Sequence, residues 1–228
     1  MRRLLIFVKY PTPGQVKTRL AASVGDDAAS GIARLCAELT LERLASWRRE
    51  TVLCVHPPDT LARARAWLGS EWSLQPQEGA TLGERLAQAV GHAFAQGATR
   101  VVAIGTDSPW LEPHDVETAF DVLERVPVTI GPTEDGGYYL IGLSQPVPYL
   151  FEGIPWSTAA VYQETITKAR ALGLRVHALP LGYDVDRLED VSRFVADERA
   201  RGTHVDALDT IEASVHTMTS PQSIVHSP

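Results

Sequence analysis

Short apolar runs alternate with amphipathic stretches along most of this chain, and that alternation limits its fold more than any other feature. Leu4 to Val8 reads as a first strand. A long amphipathic helix follows with Ile32, Leu35, Leu39, Leu41 and Leu44, and Asp26 or Asp27 is placed to cap it. Thr51 to His56 is a second strand, stopped by Pro57-Pro58, and Asp59 can cap a helix through Leu68. A short strand at Ser73 to Gln75 leads into a helix from Leu82 to Gln96. Strand Arg100 to Ile104, helix Glu112 to Arg125 and strand Val128 to Ile130 continue the pattern. Thr158 to Leu172 reads as helix, Arg175 to Leu181 as strand, and Arg187 to Arg201 as the last helix. Tyr138 to Leu143 is one more strand. Its gap from Ile130 is too short for a helical crossover, so it is expected to run antiparallel, as a hairpin insertion.

Strands separated by helices predict an α/β three-layer sandwich, with a central, mainly parallel but mixed sheet covered on both faces. No repeat or linker interrupts the pattern, so residues 1–202 are expected to form a single domain. Periodicity fades from Thr203, and Thr217 to Pro228 is polar; residues 203–228 are expected to be a mobile or loosely docked tail.

Composition narrows the function. A hydrophobic content of 44% with 21% charged residues is that of a soluble globular chain. A net charge of −7 with no basic block argues against nucleic acid as a partner, so any affinity for phosphate must be local. Cys36 and Cys54 form no CxxC pair, which disfavours a disulfide framework or zinc knuckle. The apolar run after Arg2-Arg3 is too short for a signal peptide and no run approaches a membrane span, so a cytoplasmic location is expected.

Several loops carry candidate chemistry. In IGTDSPWL, Gly105 ends a buried strand and presents Asp107 at its carboxyl end, with Pro109 stiffening the turn. Ligands bind at that edge of open α/β sheets, and a carboxylate there suits a hard cation carrying a phosphorylated substrate. The alternative is that Asp107 only caps the turn before the next helix. In KYPTPGQVKTRL, Pro11, Pro13 and Gly14 tighten a loop after the first strand, followed by the cations Lys17 and Arg19, a combination suited to polyphosphate. Lys17-Thr18 ends it as in a Walker A loop, but Val16 replaces the glycine required before the lysine.

In QEGATLGERL, Gly79 and Gly83 around a helix start leave backbone amides accessible to a nucleobase edge or a phosphate. The alternative, compatible with it, is an ordinary loop in which Thr81 and Glu84 form a capping box. GPTEDGGYYLIGL places Glu134 and Asp135 beside the Gly136-Gly137 turn, followed by Tyr138. FEGIPWST carries Trp156, Ser157 and Thr158, either a stacking platform for a sugar-like acceptor or core and helix cap. In GYDVDRLED, Asp184 and Asp186 alternate on an extended segment, and Asp186 is either a helix cap or a second carboxylate for a metal. No GxSxG elbow, histidine ligand spacing or GxGxxG motif is present.

Taken in order, PGQVKTRL, QEGATLGERL, IGTDSPWL, GPTEDGGYYLIGL, FEGIPWST and DVDRLEDV make the chain resemble the nucleotide-diphospho-sugar transferase superfamily, the GT-A fold. It looks most like the bacterial group labelled glycosyltransferases of arsenosugar biosynthesis, and more distantly like 2-phospholactate guanylyltransferase and molybdenum-cofactor guanylyltransferase. The resemblance implies nucleotide contacts from Pro13, Gly14, Lys17, Arg19, Leu82, Gly83 and Thr106, with Lys17, Arg19 and Asp107 catalytic. It implies Mg2+ (or Mn2+) held by Asp107 and Asp186. The acceptor side falls to Glu134, Asp135, Gly136, Gly137, Tyr138, Trp156, Ser157 and Thr158. One departure is visible: where glycosyltransferases carry Asp-x-Asp, the second position after Asp107 is Pro109. The expected activity is Mg-dependent transfer of a sugar from a nucleotide-sugar to a small-molecule acceptor. The alternative is guanylyltransferase-like nucleotidyl transfer from a nucleoside triphosphate to a phosphorylated small molecule, releasing pyrophosphate.

Overall fold

The computed structural model describes residues 1–202, so the expected tail at 203–228 lies outside the described residues. Seven strands form one sheet: β1 (Arg2–Lys9), β2 (Thr51–His56), β3 (Ser73–Pro76), β4 (Arg100–Ile104), β5 (Val128–Pro132), β6 (Tyr138–Leu143) and β7 (Val176–Ala178). The helices are α1 (Thr18–Val24), α2 (Asp26–Arg43), α3 (Leu61–Leu68), α4 (Leu82–Ala95), α5 (Pro113–Val122), α6 (Val161–Ala171) and α7 (Leu188–Ala200). The chain divides into two compact units, one of Met1–Tyr10 with Ala37–Asp184, the other of Pro11–Cys36 with the chain from Val185 onward.

The first unit contains the whole sheet, in the order β3-β2-β1-β4-β6-β5-β7. Pairing is parallel between β1 and β2, β1 and β4, β2 and β3, and β5 and β7. β6 runs antiparallel to β4 and β5, as its short connection to Ile130 requires.

Successive side chains of a strand point to opposite faces, and β1 sends Leu4, Ile6 and Val8 to one apolar layer and Leu5 to the other. The first layer joins them to Leu44, Trp47, Leu53, Val55 and Phe120. The second gathers Cys54, Leu86, Val90, Val101, Phe151 and Ile166. Burial on both faces explains why the central strands read as continuous apolar runs. The α/β three-layer sandwich expected from the alternation is the fold of this unit.

Several elements differ from the sequence reading: α2 begins at Asp26, so Asp26 and Asp27 lie in its first turn, Leu44 falls in a 3-10 turn after it, and α5 ends at Val122, short of Arg125. β7 stops at Ala178 instead of running to Leu181, because after the Leu179 N–H bond to the Ile130 carbonyl the register slips by one residue, and pairing resumes only at Gly182, whose N–H donates to the Pro132 carbonyl at 2.9 Å. α6 starts at Val161, since Thr158 turns back to donate to the Pro155 carbonyl at 2.7 Å. The segment read as a loop through Leu20 contains α1, whose seven residues are too few for a periodic signal.

In the second unit α1 packs on α7. Leu20 and Val24 of α1 are buried, as are Val191, Phe194 and Val195 of α7.

Candidate active site

All strands of the sheet except β6 point the same way, so the loops after β1, β2, β3, β4, β5 and β7 leave from one edge. Strand order reverses between β1 and β4, and that switch point is where open α/β sheets take their ligands. Asp107 stands there, exposed, on the loop that leaves β4. It does not cap α5. Glu112 is the N-cap residue, and its N–H donates to Asp115 Oδ2 at 2.8 Å.

The flanking residues are tied down. Ser108, only 6% exposed, donates its hydroxyl to Asp184 Oδ1 at 2.6 Å. Trp110 Nε1 donates to the Tyr183 carbonyl at 2.7 Å. The Trp110 ring stacks on Tyr183 at 5.8 Å and meets Tyr139 edge-on at 5.0 Å. Gly182 allows this, because a Cβ there would collide with the indole. The Tyr139 hydroxyl donates to the Pro180 carbonyl at 3.2 Å, and burial with the nearby Asp115 charge pushes its phenol up to about 12.

The residues expected on the acceptor side divide between two joined loops. Asp135 Oδ1 accepts from the Thr133 hydroxyl at 2.7 Å and the Gly137 N–H at 3.0 Å, so this carboxylate shapes its own turn. Gly136 has φ 87°, lies against the Ala159 carbonyl, and accepts from the Tyr162 N–H at 2.9 Å. That stitches the hairpin to the segment bearing Ser157 and Thr158. Ser157 itself has φ 65°, a left-handed conformation costly for a non-glycine residue.

Trp156 is half-buried, edge-on to Tyr138 at 6.2 Å. Burial raises the Tyr138 phenol well above its ordinary range. Gly83 is accounted for by packing: a Cβ there would strike the Trp156 indole and the Phe151 carbonyl. Thr81 caps α4 by accepting from the Glu84 N–H at 3.2 Å, while Glu84 accepts from Ala80 N–H at 2.8 Å, one residue earlier than in a regular capping box. Leu82 beside it is 41% exposed.

Sequence reasoning missed a basic corner at the carboxyl ends of β1 to β3. Lys9 pairs in register with His56. Arg85 donates to the Gly79 carbonyl at 3.0 Å and the Ala80 carbonyl at 3.2 Å, closing the loop after β3. Burial lowers the His56 pKa, and the charges of Arg85 and Lys9 lower it further. Strand register could have paired Lys9 with His56. Nothing local in the sequence brings in Arg85.

In the second unit, Lys17 and Arg19 converge on Asp186. Lys17 is the N-cap residue of α1, at φ 43° and ψ 48°. Its side chain is 3% exposed, donates to the Val185 carbonyl at 2.6 Å and lies 3.7 Å from Asp186 Oδ1. A buried ammonium requires such partners to offset its desolvation. Arg19, half-exposed, lies 3.8 Å from Asp186 Oδ2. Pro13 is exposed, and Gly14 turns at φ 75°. Among the described residues, no group of three or more His, Cys, Asp or Glu side chains is placed to hold a metal ion.

The sequence profile of a family described as uncharacterized protein conserved in bacteria (DUF2064) matches residues 40–158. A protein provisionally assigned as a nucleotide-diphospho-sugar transferase from Desulfovibrio desulfuricans G20 is 35% identical. Its structure superposes with a TM-score of 0.88, covering 95% of this chain and 97% of that one. A cytidylyltransferase from Leptospira borgpetersenii serovar Hardjo-bovis (strain JB197) is 13% identical with a TM-score of 0.56, covering 99% of both chains. Rv0371c from Mycobacterium tuberculosis H37Rv, in complex with manganese, is 16% identical with a TM-score of 0.52, covering 84% of this chain and 96% of that one. No curated protein matches the sequence. No helix among the described residues is long and apolar enough to cross a membrane.

Proposed function

We propose that this chain, which belongs to the bacterial family described as uncharacterized protein conserved in bacteria (DUF2064), transfers a sugar from a nucleotide-sugar to a small-molecule acceptor. Its fold is that of the nucleotide-diphospho-sugar transferases. The observation that carries the reading is Asp107, an exposed carboxylate at the switch point of the sheet, on a loop whose following residues Ser108 and Trp110 are tied to Asp184 and Tyr183.

The donor chemistry fits a hard cation, since the exposed Asp107 carboxylate offers oxygen ligands. With few carboxylates gathered, phosphate oxygens of the nucleotide and water would complete the shell around Mg2+ or Mn2+. A bound cation supplies charge neutralisation on the donor diphosphate. Asp107 is the ligand assigned from the first unit. Asp186 belongs to the second unit, where any cation it took would compete with Lys17 and Arg19 for its oxygens. Arg19 is the half-exposed cation suited to a bidentate contact with a leaving diphosphate. Lys17 holds the Val185 carbonyl and keeps positive charge behind Asp186. In the transfer, the bond from the anomeric carbon to the diphosphate breaks, a bond to the acceptor oxygen forms, and the acceptor proton leaves to a base. Glu134, exposed on the hairpin, and the loop bearing Trp156, Ser157 and Thr158 are assigned to the acceptor side.

One observation favours a second reading. Pro109 occupies the position of the second carboxylate of Asp-x-Asp, and a single strand-end Asp equally serves nucleotidyl transfer from a triphosphate. The products separate the two. With Mg2+ and panels of nucleotide-sugars and nucleoside triphosphates, phosphorus NMR should detect release of a nucleoside diphosphate. Nucleotide-sugars or their diphosphates should protect against thermal unfolding more than triphosphates do. Pyrophosphate released from a triphosphate with a phosphorylated acceptor contradicts glycosyl transfer and supports the second reading.

A further inference from the structure

The loop bearing Asp107 is held from the side by another carboxylate. Ser108 is buried, and its hydroxyl reaches across 76 residues of sequence to Asp184 Oδ1 at 2.6 Å. At that length the bond is charge-assisted, roughly twice the strength of a neutral one. Secondary structure does not require it, because β4 has ended at Ile104 and α5 is capped at Glu112. Two residues later Trp110 makes a second tie, to the Tyr183 carbonyl at 2.7 Å. The loop is therefore attached twice to one short segment, and Pro109 stiffens the chain between the attachments. Gly105, exposed at the start of the loop, is the residue with backbone freedom to swing Asp107 if those ties were absent.

We propose that Asp184, acting through Ser108, is a positioning residue that fixes the Asp107 carboxylate for a divalent cation and the diphosphate it carries. The inference rests on the reading of Asp107 given above. It separates two acidic residues that their spacing made look alike: Asp186 has Lys17 and Arg19 as partners, whereas Asp184 has the residue next to Asp107.

A suitable probe is the preformed complex of Mn2+ with inorganic pyrophosphate, which tests cation and diphosphate binding without assuming a base or sugar. Calorimetry would compare wild type, Asp107→Asn, Ser108→Ala, Ser108→Thr, Asp184→Ala and the Ser108→Ala/Asp184→Ala double variant, with thermal unfolding recorded for each. Binding should weaken about tenfold in Ser108→Ala and in Asp184→Ala, the scale of one lost hydrogen bond to a charged group. The double variant should be no weaker than either single one, because one contact is lost in all three. Ser108→Thr, which keeps the hydroxyl, should restore affinity. A purely structural role would lower the unfolding temperature with affinity unchanged, and that result overturns the inference. Wild-type affinity in folded Ser108→Ala and Asp184→Ala, with binding lost in Asp107→Asn, overturns the positioning role and leaves the reading of Asp107 intact. Wild-type affinity in Asp107→Asn, or no binding by wild type, overturns both.

Discussion

Asp107 is exposed, and two residues that follow it on the loop and fix its course, Ser108 and Trp110, are tied to Asp184 and Tyr183. Asp107→Ala should abolish cation-dependent nucleotide binding and cost on the order of a thousandfold in turnover, several kcal/mol of charge stabilisation. Arg19→Lys should weaken binding although the charge is kept, because an ammonium cannot make the two-pronged contact of a guanidinium. Calorimetry with nucleoside mono-, di- and triphosphates checks this. Wild type should bind more tightly with each phosphate, and the variant should give a flatter series.

His56 provides a prediction of another kind. Burial, with Arg85 and Lys9 nearby, holds its folded-state pKa below the ordinary 6.5, so the unfolded chain takes up this proton first as pH falls. The stability tied to neutral His56 is complete above the ordinary value and lost as pH falls through the lower folded-state pKa. Denaturant unfolding should show stability rising with pH across that window, and His56→Gln should flatten the rise. At this scale the sequence was half legible. A lone Asp after a buried strand announces itself by position, and so does a Gly-Gly beside two carboxylates. The Ser108–Asp184 bond, the Arg85 clasp and the Lys17 contact with the Val185 carbonyl join residues far apart in the chain, and no local pattern encodes them.

The elements were clearest where one period dominated. β1 and β4 read as buried strands because both faces of each are covered, and α4 because its apolar residues share one side. The ends were harder to place, since single bonds set them: the register slip between Leu179 and Gly182 ends β7, and the Thr158 turn delays α6. Two predictions belong here. Phe120, fully buried and stacked on Trp47 at 5.2 Å, should lose about 3–5 kcal/mol of stability as Phe120→Ala. Gly136→Ala places a side chain at φ 87° against the Ala159 carbonyl, and a Tm drop of several degrees is expected from about 1–3 kcal/mol of strain. Thermal unfolding followed by circular dichroism measures both. An unchanged Tm in Gly136→Ala would show that the hairpin and the 157–160 loop are not locked together.

For the whole molecule, alternating strands and helices already required a covered, mainly parallel sheet, and the short β5–β6 link already required one reversed strand. Strand order was not legible, because pairing between strands distant in sequence leaves no periodic trace. That order creates the switch point at which Asp107 stands, and with it the central claim: the chain handles a nucleotide diphosphate through a divalent cation at this carboxylate. Titration of nucleoside diphosphates into wild type and Asp107→Ala, each with Mg2+ and with excess chelator, tests the claim most directly. Tight binding should require both the cation and Asp107, so that wild type in chelator and Asp107→Ala in Mg2+ are equally weak. Equal affinity in all four titrations would contradict it.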